Sequence, residues 1–323
     1  MECTAVFRFL LISCLSLWTL GAQAQVHILT SIKPLQLIAA AIQEGQGQPQ
    51  VLLPPGASPH YFVLRPSDAK RLNTADLFYW VGPDLENFLP RVLKQRSQRS
   101  VAVQNLPDLH LLHFGDSHQH PHSDASADEH KQHSNNHASN LIEHDHAHQP
   151  GAIDAHLWLL PDNARVIAQR ISADLTELDP NNAALYAANL HAFNQRLDRL
   201  DQQLKAELQP LKSKSFFVFH EAFNYFEHAY GLQHAGVFAL SSELQPGAKH
   251  VSQMRARLQQ AGPSCVFSEP PMQPRLAQTL AAGLPVKLAE LDALGLNTPV
   301  TAQGYEQLLS NLAAQLSDCL TDL

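Results

Sequence analysis

Three histidines in this 323-residue chain stand where apolar runs stop. His60 follows "QVLL" across a Pro/Gly loop, His156 precedes "LWLL", and His220 ends "SFFVFH". Taken singly, each can be a hydrogen-bonded structural histidine. Taken together, on parts of the chain that can face one another, three neutral imidazoles match the protein's share of a zinc shell, with bonds of about 2.0 to 2.1 Å. A fourth position is open. Asp292, after "VKLAEL", is the best-placed carboxylate for it, Glu269 in "FSEPP" is the next, and water is the third option. Asp154, two residues before His156, reads as a group that orients the ring or caps a loop, and Glu269 reads as the corresponding support if it is not a ligand. Asp68 reads as a helix-start residue.

A second set of histidines is far denser. His118, His120, His122, His130, His133, His137, His144, His146 and His148 fall within one short polar stretch, among Ser, Asn and Asp. Between about residues 113 and 150 almost nothing is apolar beyond Leu141 and Ile142, too little to offset the entropy of ordering, so a mobile loop is expected there. Imidazoles on such a chain give several weak, exchanging zinc sites whose occupancy fades as pH falls through ~6.5. The selective site is expected elsewhere, at the three spaced histidines.

Catalytic readings find little support. "HEAFN" begins like the metalloprotease helix signature, but that signature needs a histidine at i+4, where this chain has Asn224, and His228 comes at the wrong spacing. There is no Gly-x-Ser-x-Gly elbow and no phosphate-cradling glycine loop. An excess of 30 acidic over 22 basic side chains, with no basic block, argues against nucleic acid as a partner. A metal buffer whose working part is the histidine tract, a metallohydrolase with an open zinc position, and a manganese or iron carrier remain as rivals. Against the last, a third imidazole favours zinc over the harder manganese ion.

Positioning these residues falls to short apolar runs that alternate with helical patterns, the signature of βα units with parallel sheets. "VHILTSI", "ADLFYWVG", "SFFVFH", "GVFAL", "SCVFSEP" and "VKLAELDAL" read as strands. Helices are expected through "PLQLIAAAIQE", from Asn163 to Leu178, through "HVSQMRARLQQAG" and through "TAQGYEQLLSNLAAQLSDCL". Leu185, Leu190, Phe193, Leu197, Leu200, Leu204 and Leu208 keep helical spacing and suit a rigid connector. The expected organisation is α/β: an N-terminal lobe over residues 25–178, a linking helix over 179–210 and a C-terminal lobe over 211–323. Ligands of open parallel sheets lie at the carboxyl ends of strands, where the three histidines fall.

The first 24 residues, with Arg8, an apolar run from Phe9 to Leu20 and Ala22-Gln23-Ala24, read as a secretory signal cleaved after Ala24; a lipidation box ending at Cys14 is the alternative. Cys3 and Cys14 would leave with the signal. Cys265 and Cys319, an even pair in an exported chain, read as one disulfide, with two buried free thiols as the alternative.

The blocks "LLPPGASPHYFVLRPSDAKRL", "DAHLWLLPDNA", "FFVFHEAFNYFE", "CVFSEPPMQP" and "LDALGLN" resemble, in order, the zinc-specific periplasmic solute-binding proteins of ABC importers, the ZnuA family. The resemblance covers essentially the whole mature chain. It implies two βα lobes linked by a long helix, Zn(II) held in the cleft between them by His60, His156 and His220, and a disulfide between Cys265 and Cys319. It also implies an accessory His/Asp-rich loop, an inner-membrane ABC permease as partner, a periplasmic zinc chaperone as a further one, and a monomer. Some members carry an acidic residue before the first histidine; this chain has Pro59 there, which leaves the fourth position to Asp292 or water.

Overall fold

The computed structural model describes residues 25–115, 151–239, 247–270 and 275–323, so the expected signal segment and the nine tract histidines lie outside the described residues. The first lobe contains β1 (Ile28–Thr30), α1 (Lys33–Ile42), β2 (Gln50–Val51), α2 (Pro66–Thr74), β3 (Leu77–Trp80), α3 (Leu89–Leu93) and β4 (Arg99–Ala102). Two helices follow, α4 (Pro161–Leu178) and α5 (Ala183–Leu208). The second lobe contains β5 (Phe216–His220), α6 (Asn224–Tyr230), β6 (Gly236–Ala239), α7 (Ala248–Ala261), β7 (Ser264–Ser268), α8 (Arg275–Ala281), β8 (Val286–Glu290) and α9 (Gly304–Leu320).

Both sheets are wholly parallel and share one topology, β2-β1-β3-β4 in the first lobe and β6-β5-β7-β8 in the second. In each, the chain reverses its direction of travel beside the first strand, which opens a crevice at the strands' carboxyl ends. The near-continuous apolar reading of "SFFVFH" has a direct cause. Phe216 and Val218 join the main core, while Phe217 and Phe219 pack with Phe238, Met254 and Leu258 on the opposite face. A strand covered on both faces has no polar alternation to show. His220 continues the parity of Phe216 and Val218 and so emerges on the main-core side.

The connecting helix α5 is bounded by 3-10 turns at Pro180–Asn182 and Gln209–Leu211. It buries one stripe, Tyr186, Phe193, Leu197, Leu200, Leu204 and Leu208, whereas Leu185 and Leu190 are only half-buried. Its partners come from both lobes: Asn189 donates to the Ile42 carbonyl at 2.9 Å, and Arg196 pairs with Glu306 of α9 at 2.6 Å. A disulfide between Cys265 and Cys319 ties α9 to β7. Helix α2 is capped at Arg65, two to three residues before the expected cap at Ser67 or Asp68, and Asp68 sits in its first turn, accepting from the Arg65 amide at 3.0 Å. The seven-residue α8 follows a proline-rich stretch and has too few residues to show a period; no helix was expected there.

The first lobe's crevice is filled by its own carboxylate. Glu86 is fully buried and accepts from the Gly82 amide at 2.9 Å and the Val81 amide at 3.3 Å. Burial pushes its carboxyl up to about 7, against those amide bonds, which favour the charged form. The folded protein thus holds this proton more tightly than the unfolded chain. Stability is fullest below the ordinary carboxylate value of 4.5 and is lost as pH rises through about 7. The full loss is roughly 3 kcal/mol. Glu86→Gln should remove that slope: denaturant unfolding at about pH 5 and about pH 8 is expected to show the wild type losing stability relative to the variant at the higher pH, and parallel behaviour would contradict the assignment.

Candidate metal centre

Each of the three histidines is delivered by a different local device. His60 lies in the loop between β2 and α2, after a turn in which the Ala57 amide reaches the Pro54 carbonyl, and its own amide donates to the Ser58 hydroxyl at 3.3 Å. His156 precedes the 3-10 turn Leu157–Leu159, and its amide donates to Asp154 Oδ1 at 3.0 Å, so the aspartate folds the backbone on which the ring stands. His220 is the last residue of β5, at the reversal point of the second sheet.

These devices bring the three side chains together. All are buried, one ligand nitrogen from each lies within 4.8 Å of the others, and among the described residues this is the group of three or more side chains that could hold a metal. The ring centroids are 5.7 Å apart for His60 and His156, 5.4 Å for His60 and His220, and 5.1 Å for His156 and His220. Nitrogens around one tetrahedral zinc stand roughly 3.3 Å apart, so small side-chain rotations close the shell.

Two of the rings are held by carboxylates. His156 Nδ1 lies 2.7 Å from Asp154 Oδ1, and His220 Nδ1 lies 2.6 Å from Glu269 Oε1. Asp154 is wholly buried. Burial alone would raise the Glu269 carboxyl, but His220, which also hydrogen-bonds to it, and the more distant His156 hold it below its ordinary value, so it is an anion suited to accept an N–H. A neutral imidazole that donates from Nδ1 presents its lone pair at Nε2. The carboxylates therefore select the tautomer in which both rings can ligate through Nε2.

Asp292, the expected carboxylate for the fourth position, is tied into a turn. It lines the same pocket as the three histidines and Glu269, but its carboxylate is folded onto its own turn. Oδ1 accepts from the amides of Leu294 at 3.1 Å and Gly295 at 2.8 Å, and Oδ2 accepts from Leu296. Gly295, at φ 65°, supplies the left-handed residue that turns those amides inward. "LDALGLN" carries the signal for such an aspartate-closed turn, an Asp three residues before a Gly. Burial, with Glu269 adding to it, raises the Asp292 carboxyl above its ordinary value in spite of the three amides.

Trp158 completes the pocket wall. Its ring lies 5.3 Å from that of His156, and its Nε1 donates across to the Ala293 carbonyl of the second lobe at 2.9 Å. Neither Trp158 nor the buried pair of His234 and Glu227, whose atoms meet at 2.8 Å, figures in the sequence reading. A lone His outside an apolar-run terminus gives no signal of its partner. His228 is exposed and stacks on His110 at 5.0 Å, consistent with a surface position.

Three comparisons place the chain and its fold among known proteins. The family described as "ZnuA: Zinc-uptake complex component A periplasmic" matches residues 28–319. The high-affinity zinc uptake system protein ZnuA of Yersinia pestis is 38% identical over 299 residues, which cover 92% of each chain. The protein of the same name from Brucella suis biovar 1 (strain 1330) is 36% identical over 305 residues, covering 91% of each. Among solved structures, a crystal structure of ZnuA has a TM-score of 0.72 at 23% identity, covering 91% of this chain and 99% of that one. A zinc-bound ZnuA deletion variant has a TM-score of 0.70 at 23% identity, with 91% and 98% covered; at such identity the likeness speaks for the fold.

Replacing Glu269 by Gln keeps the volume and removes the anion that accepts the His220 proton. Zinc affinity is expected to fall about 10- to 100-fold, as it does for such outer partners generally, with little change in melting temperature. An unchanged affinity in a competition titration would show that His220 does not need this partner. Fold, centre and sequence agree on one conclusion: the chain belongs to the periplasmic zinc-uptake component A family, ZnuA.

Proposed function

We propose that this protein captures Zn(II) between its two lobes in the periplasm and delivers it to the inner-membrane permease of an ABC-type zinc importer, without catalysing a reaction. The observation that carries this reading is the convergence of three buried imidazoles, two of them with Nδ1 on a carboxylate. Three buried nitrogen donors suit zinc better than manganese or calcium, which take oxygen.

The ligands in this proposal are His60, His156 and His220. Asp292 has one lone-pair site left beyond its three amide bonds, and it is the fourth donor, directly or across one water. A cation at the centre would relieve the raised Asp292 carboxyl and its repulsion with Glu269. His60 and His156 belong to the first lobe and His220 to the second, so zinc favours the arrangement in which the lobes meet by its differential affinity for it. The permease can then distinguish loaded from empty protein by the relative placement of the lobes. The protein acts as a monomer after removal of its leader, and exchanges zinc with a periplasmic chaperone through the histidine tract, whose sites are weaker.

Competition of zinc against a chromophoric chelator tests this directly. The wild type is expected to show one tight site plus weaker ones, a variant lacking residues 113–149 to keep the tight site alone, and His220→Ala to lose the tight site while keeping the weak ones. Loss of tight binding on removal of the tract would favour a metal buffer instead.

A further inference from the structure

We propose that Asn224 is a positioning residue that acts across the lobes: by holding Asp154 it fixes the ring of His156 for zinc. The inference rests on the zinc reading above. His156 and Asp154 belong to the first lobe, whereas Asn224 opens α6, four residues after His220 in the second. Asn224 is buried, and its side-chain amide donates to Asp154 Oδ2 at 3.1 Å. Only the NH2 end of that amide can face a carboxylate oxygen.

The hydrogen bonds on Asp154 show why this contact matters. Oδ1 receives both the amide and the Nδ1–H of His156, and Oδ2 receives Asn224. The carboxylate is wholly buried, so no bulk water can replace a lost donor. Without Asn224, Oδ2 is left unsatisfied and the carboxylate gains by rotating towards other donors, which takes Oδ1 off the imidazole. The backbone of Asp154 is tied to the same helix, because the Tyr225 hydroxyl donates to the Asp154 carbonyl at 2.8 Å while accepting from the Leu112 amide at 2.9 Å. Two consecutive residues of α6 thus grip the segment that carries His156. The second lobe supplies His220 and also sets the orientation of a ligand on the first.

Asn224 also donates to Glu221 Oε1 at 3.2 Å, a local bond that a purely structural role would account for. A double-mutant cycle separates the two roles. Zinc affinity is measured by chelator competition for the wild type, Asn224→Ala, Asp154→Ala and the double variant. If Asn224 works through Asp154, Asn224→Ala weakens zinc about 10- to 100-fold in the wild-type background and less than about twofold once Asp154 is absent. An equal penalty in both backgrounds, or none in the first, overturns the inference. Should the alanine variant not fold, Asn224→Asp keeps the volume, replaces the donor by an acceptor and carries the same expectation. A wild type that binds no zinc tightly would overturn the zinc reading itself, whereas tight wild-type binding unaffected by Asn224→Ala overturns this inference alone.

Discussion

A neutral imidazole has one lone pair and one N–H, and it serves a metal only when the N–H is given to something else. In a buried site that something must come from the protein, and here it is Asp154 for His156 and Glu269 for His220. Much of the surrounding architecture places those two anions. Glu269 directly follows β7, the strand beside β5, so the parallel pairing that sets Phe216 against Cys265 also sets the carboxylate against the ring. Asp154 reaches its place through a turn closed on His156 itself and through contacts from α6.

The two lobes repeat one topology but use it differently. In the second, the crevice beside the first strand opens to the cleft and carries His220 and Glu269. In the first, Glu86 closes the equivalent crevice from within, and the two histidines stand in loops, His60 after β2 and His156 before the 3-10 turn at Leu157–Leu159. Such an arrangement makes the centre a property of the interface. Trp158 donates to Ala293, Tyr305 donates to the Trp158 carbonyl at 2.7 Å, and Lys33 donates to the Leu296 carbonyl at 2.8 Å. One continuous core, reaching from β1 to α9, joins the lobes behind these bonds.

Much of this is legible in the sequence because parallel sheets and long helices write strong periodic signals. The strand at "SFFVFH" and the stripe from Phe193 to Leu208 are examples, and so is the location of His60, His156 and His220 at the ends of apolar runs. The role of Asp154 as an orienting group is readable from its two-residue spacing to His156, a spacing at which an aspartate can reach both the backbone and the ring. What escapes the sequence depends on contacts between distant segments. Asp292 is readable as a candidate ligand because it follows a strand, but the three amides that occupy all save one of its lone-pair sites come into view only with the turn built on Gly295. Asn224 looks like a defect in a metalloprotease signature, and its partner is 70 residues away. Glu86 carries no local mark of burial at all.

On the proposed reading zinc sits among the three spaced histidines, and the histidine-dense tract is accessory to them. Anomalous diffraction at the zinc edge from crystals of the full-length mature protein tests it most directly. One fully occupied peak is expected, bonded to His60, His156 and His220 at about 2.0 to 2.1 Å, with Asp154 and Glu269 on the far side of their rings. A strongest peak located elsewhere, or a centre lacking one of these histidines, would contradict it.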